Sequence, residues 1–304
     1  MESADQAARA DDITLADGTM RVLSFGSGPV HAIAVHGITA NASCWRAVAR
    51  ALPAQWTLHA VDLRGRGHSA ALPGPYGFDR HATDLRDLAA ALGLSRPLLV
   101  GHSLGAYIAL LTADAYPDVF GAIALLDGGL PLPVPPGADL DQLLAVSLGP
   151  AIARLSETYP SADAYVDFWR AHPALGPSWS DDIEHYVRYD LTGAPGALRS
   201  RVVPECARQD GEALLASAEL IAAALSRRTD AVPVLRAPAG MFGEPPGMIG
   251  DELAAHWQSR LPNLAITTVP ATNHYTIMFA PAAAAQIAAV MTHIAGGAGR
   301  DYGR

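Results

Sequence analysis

Seven short β-rich runs, at residues 21–25, 31–35, 57–61, 98–100, 122–126, 232–235 and 264–269, alternate with helical patterns at 43–52, 78–92, 104–116, 212–225, 251–261 and 281–294. Strands separated by helices pack as a largely parallel sheet covered by helices on both faces, so the chain reads as α/β. In such sheets functional side chains gather at the carboxyl ends of the strands, where helix N-termini converge. With 304 residues, half of them apolar, the chain can bury one large core, with or without an inserted segment.

One junction carries chemistry. Gly101-His102-Ser103-Leu104-Gly105 lies between the run ending at Val100 and the helical pattern that follows. A serine hydroxyl becomes a useful nucleophile when a tight turn exposes it beside a base and beside donors for an oxyanion; a strand-turn-helix junction supplies all three. Gly101 and Gly105 suit a turn in which backbone meets backbone. Upstream, His36-Gly37-Ile38 ends an apolar run, and residues 60–69 read Ala-Val-Asp-Leu-Arg-Gly-Arg-Gly-His-Ser; downstream, Asn273-His274-Tyr275 follows the last apolar run. In this order the set resembles the α/β-hydrolase superfamily, over nearly the whole chain.

The resemblance implies an α/β-hydrolase fold, a mostly parallel twisted sheet with an inserted helical lid, and a triad in chain order Ser, acid, His. Ser103 then stands as nucleophile and His274 as general base, a histidine being the side chain whose ordinary pKa lies near neutrality. Two backbone donors, on Leu104 and Ile38, would form the oxyanion hole. For the acid, the resemblance offers two places. One follows the run at 232–235, where this chain has no Asp before Asp251 and Glu244 is the nearby carboxylate; the other holds Asp127, 24 residues after Ser103. Asp127 is favoured, with Glu244 as the alternative.

Between Leu130 and about Gly211 the strand pattern stops after a Pro-rich entry, and helical segments rich in aromatics follow. The expected organisation is a flexible N-terminus at 1–12, a core at 13–130 and 212–295, a helical lid at 131–211 and a flexible tail at 296–304. Of the lid aromatics Tyr159, Tyr165, Phe168, Trp169, Trp179, Tyr186 and Tyr189, two or three are expected to reach the substrate and the rest to form the lid's own core. The expected substrate contacts are His36, His102, Tyr165, Trp169 and Tyr275, although His36 and His102 also read as residues that order backbone and packing.

The formal charge of -9, with no lysine, disfavours nucleic acid, which demands clustered cations. Arg64-Gly65-Arg66-Gly67 is too short for that role and reads as a structural turn near the site's rim. No complete dinucleotide fingerprint or Walker sequence occurs, so no cofactor is expected; no ligand-spaced His, Cys or Asp cluster occurs, so no metal is expected. Cys44 and Cys206, far apart, read as reduced structural thiols. The N-terminus is polar and acidic and no apolar run would span a bilayer, so a cytoplasmic protein without membrane contact is expected. Periodicity leaves the oligomeric state open.

A serine nucleophile favours esters, lactones or amides over the epoxide and carbon-halogen chemistry that fold members perform with Asp. The leading expectation is a cofactor-free serine hydrolase of an apolar carboxylic ester or lactone. A cofactor-independent perhydrolase or carbon-carbon bond hydrolase would carry the same motifs, and a non-catalytic member binding a small apolar ligand is the reading from another class.

Overall fold

The computed structural model describes residues 8–135 and 137–298. Its centre is an eight-stranded sheet of β1 (Arg9–Leu15), β2 (Gly18–Gly26), β3 (Val30–Val35), β4 (Trp56–Val61), β5 (Leu98–His102), β6 (Ile123–Leu126), β9 (Val232–Arg236) and β10 (Leu264–Thr268), in the order β1-β2-β4-β3-β5-β6-β9-β10. The β1–β2 and β2–β4 pairs are antiparallel and the remaining pairs parallel. A two-stranded ribbon, β7 (Leu191–Thr192) with β8 (Arg199–Ser200), stands apart from it.

Strand alternation divides the core into two layers. Ala32 and Ala34 of β3, with Leu58, Ala60, Val100 and Leu126, face α1 (Arg46–Ala51) and α10 (Pro281–Ala298). Ile33 and Val35, with Val61, Leu99, Ile123 and Val234, face α2 (Phe78–Ala91), α3 (Leu104–Ala115), α8 (Ala218–Arg227) and α9 (Asp251–Arg260). Period-2 alternation over parallel strands with both faces apolar is what burial between two helical layers requires. Between β6 and α8 come α4 (Leu140–Arg154), α5 (Ala162–Arg170), α6 (Asp181–Tyr189) and α7 (Pro204–Ala216).

Three boundaries differ from expectation. Part of the segment expected to be a flexible N-terminus forms β1, whose Asp11 and Asp12 hide the strand signal; the ladder with β2 supplies what apolar alternation does not, and Arg21 closes on Asp12 at 2.7 Å. Residues 1–7 lie outside the described residues. The single helix expected at 212–225 is two helices broken at Ser217, the first beginning at Pro204, where proline's fixed φ suits a first helical turn, so α7 crosses the expected lid boundary at 211. At the other end α10 continues through Gly296, each added residue closing one more hydrogen bond; residues 299–304 lie outside the described residues. Among the described residues no helix is long and apolar enough to cross a membrane.

Candidate active site

Ser103 sits at the β5–α3 junction with φ 55° and ψ −123°, a conformation that strains a non-glycine residue by roughly 1–3 kcal/mol. The surroundings hold it there. Its N–H donates to Leu126 O at 2.9 Å. A Cβ on Gly101 would lie 2.0 Å from Gly105 O, and one on Gly105 would lie 2.1 Å from Val35 O, so glycine is obligatory at both flanks. The result is a hydroxyl held above the sheet at the start of α3.

Asp127 follows β6, also at positive φ (44°), and is 2% exposed. Its N–H donates to Leu235 O, and its Oδ1 accepts from Ala237 N–H at 3.0 Å, so the chain after β9 fixes which way the carboxylate faces. Asp127 Oδ2 is then 2.7 Å from His274 Nδ1, and His274 Nε2 is 3.1 Å from Ser103 Oγ. These partners assign the imidazole its tautomer: Nδ1–H donates to the carboxylate, leaving Nε2 to accept from the serine. Glu244, the alternative acid, is exposed on a loop where its backbone carbonyl accepts from Gly240 N–H. His274 turns instead to the end of β6, because β6 and β9 are neighbours and both loops open at the same sheet end.

The loop carrying His274 is pinned from several sides. Asn273 Oδ1 accepts from the Tyr275 and Thr276 N–H groups, and its Nδ2 donates to Ala174 O in the segment between β6 and α8. His102 Nε2–H donates to the His274 carbonyl at 2.9 Å. Burial, reinforced by neighbouring His274, pushes His102 well below the ordinary imidazole range, so it stays neutral.

Across Ser103 runs the loop after β3. Gly37 approaches so closely that a Cβ there would lie 3.2 Å from Ser103 Cβ. Both nitrogens of His36 are engaged: Leu63 N–H donates to Nε2 at 3.0 Å, so Nδ1 carries the proton and donates to Gly37 O at 2.7 Å. Desolvation holds His36 down to about 3. In a trans peptide the Gly37 carbonyl and the Ile38 N–H point in opposite directions, so holding the carbonyl also orients that N–H. Ile38 and Leu104 both line the cavity over Ser103.

This cavity, about 150 Å³, is bounded by Gly37, His102, Ser103, His274 and Tyr275 and roofed largely by apolar side chains. Leu144 and Leu148 of α4 face Leu214 and Leu215 of α7, and Met241 and Met248 close one side. The two helices approach over Gly211, where a Cβ would meet Leu144 Cδ1 at 2.4 Å. No Asp, Glu or Arg occurs among the described lining residues.

Of the expected substrate contacts, His102 and Tyr275 border the cavity; His36, Tyr165 and Trp169 do not. His36 is spent on the backbone. The Tyr165 hydroxyl donates to Asp190 Oδ2 at 2.6 Å and accepts from Arg154 at 2.7 Å, while the Trp169 ring lies 4.7 Å from the Arg154 guanidinium carbon, so both belong to the interior of the inserted helices. A buried cation and carboxylate there need polar partners, which draws these rings away from the cavity. Of the seven aromatics singled out in the inserted segment, Tyr186 reaches it, where two or three were expected. Leu144, Leu148 and Ala151 share one helical face, a spacing visible in the sequence, but periodicity does not tell a face that meets a cavity from one that meets a core. Cys44 and Cys206 are buried and free, and desolvation pushes both thiols upward, Cys206 to about 11.

The alpha/beta hydrolase fold family matches residues 33–150. The chain is 28% identical over 268 residues to the 2-(acetamidomethylene)succinate hydrolase of Mesorhizobium japonicum, covering 86% of this chain and 87% of that one. An uncharacterised protein of Mycobacterium tuberculosis is 35% identical over 104 residues, which is 34% of this chain and spans only 30% of that relative. Among solved structures, E-2-(acetamidomethylene)succinate hydrolase superposes with a TM-score of 0.74 at 22% identity, covering 95% of this chain and 99% of that one. Sequence match over residues 33–150, sheet order and the serine on its strand-to-helix turn agree: the chain has the α/β-hydrolase fold and is similar to members of that superfamily.

Proposed function

We propose that the protein is a cofactor-free serine hydrolase that cleaves a neutral, apolar carboxylic ester or lactone. The observation that carries this reading is the pairing of a hydrogen-bonded Ser103–His274–Asp127 array with a cavity bounded by no Asp, Glu or Arg among the described residues. His274 Nε2 takes the Ser103 proton as Oγ attacks the carbonyl carbon. The oxyanion receives the Ile38 and Leu104 N–H groups, each such donor being worth about 3–4 kcal/mol in the transition state. Collapse breaks the acyl-oxygen bond, and His274 returns the proton to the departing alkoxide. Water, deprotonated by the same imidazole, then attacks the acyl-enzyme and regenerates Ser103, while Asp127 stabilises the imidazolium without taking its proton.

The cavity also argues for a substrate less polar than the one that the name of the Mesorhizobium relative states. A succinate carries carboxylates, whose burial without a cation is costly. The lining instead suits a hydrocarbon, and an apolar cavity of this size takes up a ligand of roughly six carbons. A ligand-binding member without catalysis needs no base–acid pair aligned on its serine, and the 2.7 and 3.1 Å bonds support turnover over that alternative.

Labelling with a fluorophosphonate, peptide mapping, and hydrolysis of p-nitrophenyl butyrate test the proposal together. The adduct is expected on Ser103, and Ser103→Ala should lower kcat by about 10³- to 10⁶-fold with the fold intact. Full activity in that variant, or an unlabelled wild type, would end it.

A further inference from the structure

The Arg64–Gly67 turn does more than close a loop. Arg66 is fully buried, and its guanidinium faces two ways. Its Nε donates to the Ile38 carbonyl at 3.0 Å, on the residue whose N–H faces the nucleophile in the proposed mechanism. On the other side its Nη1 lies 2.6 Å from Asp210 Oδ2, on α7, and also donates to Arg64 O at 2.9 Å. Asp210 is held in turn by Gly77 N–H at 2.7 Å and by His81 Nε2 at 2.9 Å. The start of the same helix and the residue that caps it grip the neighbouring peptide, since the Cys206 thiol and Val203 N–H both reach Gly65 O.

A continuous set of bonds therefore runs from α7 through Asp210 and Arg66 to the Ile38 carbonyl. The carbonyl before it, Gly37 O, is held by His36 and by Ala40 N–H at 3.2 Å. Residue 38 is thus fixed by the carbonyls on both sides of its N–H, one of them through a side chain borrowed from a distant turn. Helix α7 also lines the cavity with Gly211, Leu214 and Leu215, beginning one residue after Asp210. The element that would feel the acyl group is the one that anchors Arg66.

From this geometry we infer that Arg66 is a positioning residue for the oxyanion hole, anchored by Asp210 on α7. The inference rests on the serine-hydrolase reading of the same site. It assigns Arg66 a role in kcat: the guanidinium keeps the Ile38 N–H aimed where negative charge develops, and displacement of a donor by a fraction of an ångström lowers the rate more than substrate binding.

A purely structural ion pair makes a different prediction, which a double variant separates. Arg66→Met alone strands Asp210 as a buried charge short of a partner and lowers stability. In Arg66→Met/Asp210→Asn both charges are gone, the asparagine carbonyl can still accept from Gly77 N–H, and stability should return toward wild type. Arg66→Lys is the second variant: an ammonium retains a charge partner for Asp210 but cannot reproduce the fork that reaches Ile38 O. Thermal unfolding, kcat and KM for p-nitrophenyl butyrate, and fluorophosphonate labelling would be measured for all three and for the wild type. The expected result for the folded variants is kcat lower by about 10- to 100-fold, KM within about threefold, and labelling retained but slower. Wild-type kcat in either the restored double variant or the folded Arg66→Lys protein would overturn the inference. A wild type that neither labels nor hydrolyses the ester would instead remove the hydrolase reading beneath it.

Discussion

Asp127→Asn is the substitution for which the structure specifies most. Asparagine is nearly isosteric with aspartate, so packing at this 2%-exposed site changes little. Its amide has only one orientation compatible with its neighbours. Ala237 N–H, 3.0 Å from Oδ1, needs an acceptor, so the amide oxygen stays there and the NH₂ group replaces the oxygen that faces His274 Nδ1. That nitrogen must then accept, which moves the imidazole proton to Nε2 and points a donor at Ser103 Oγ, where catalysis needs an acceptor. The base is present in the wrong tautomer. For a triad acid this change costs about 10⁴ in kcat, or roughly 5.5 kcal/mol in the barrier. The assay is steady-state hydrolysis of p-nitrophenyl butyrate, with thermal unfolding as control and Glu244→Gln in parallel. Asp127→Asn should lose about four decades of kcat with KM little altered, and Glu244→Gln should match the wild type. Activity within tenfold of wild type in Asp127→Asn, or a comparable loss in Glu244→Gln, would refute the tautomer argument and the assignment of the acid.

Two further outcomes follow from burial and close contact. His36 held down to about 3, His59 to about 4 and His102 well below its ordinary value all stay neutral in the fold while the unfolded chain protonates them near 6.5, so their contribution is complete above that pH and is lost as the pH falls. Burial raises Asp62 to about 6, which works in the opposite direction over the same interval; the net expectation is a loss of about 2–3 kcal/mol of stability between pH 6 and 5, and a urea midpoint unchanged over that unit would contradict it. Gly128→Ala would place a methyl 2.5 Å from Ser103 O, so it should displace the elbow, destabilise by about 1–3 kcal/mol and lower kcat by about 100-fold; wild-type kinetics would show that the turn has slack that the close contact denies.

The residues most legible in the sequence are those whose geometry is settled within a few positions of chain. Gly101 and Gly105 mark a turn because backbone fills the space a Cβ would need, and the apolar runs beside them identify a strand and a helix; Ser103 can be located from these alone. His36-Gly37-Ile38 and His274 were legible as loops following strands. The aromatics were less so. Tyr165 and Trp169 carry the same apolar bulk as Tyr186, and what separates them is the buried Arg154–Asp190 pair, which recruits the first two and leaves Tyr186 at the cavity. Strand β1 is not legible in the sequence because backbone pairing, with only modest apolar alternation, holds it at the edge.

Local sequence, then, determined the α/β alternation, the elbow and the loops that carry His274 and Ile38, because turns, caps and periodicities depend on neighbours along the chain. Tertiary structure decided which carboxylate meets His274, since Asp127 is oriented by Ala237, 110 positions away, across two adjacent strands. It likewise decided which helix faces form the cavity and that Arg66 ties α7 to Ile38. Each of these is a meeting of groups remote in sequence, fixed only when the sheet order and the packing of the inserted helices bring them within a hydrogen bond's reach.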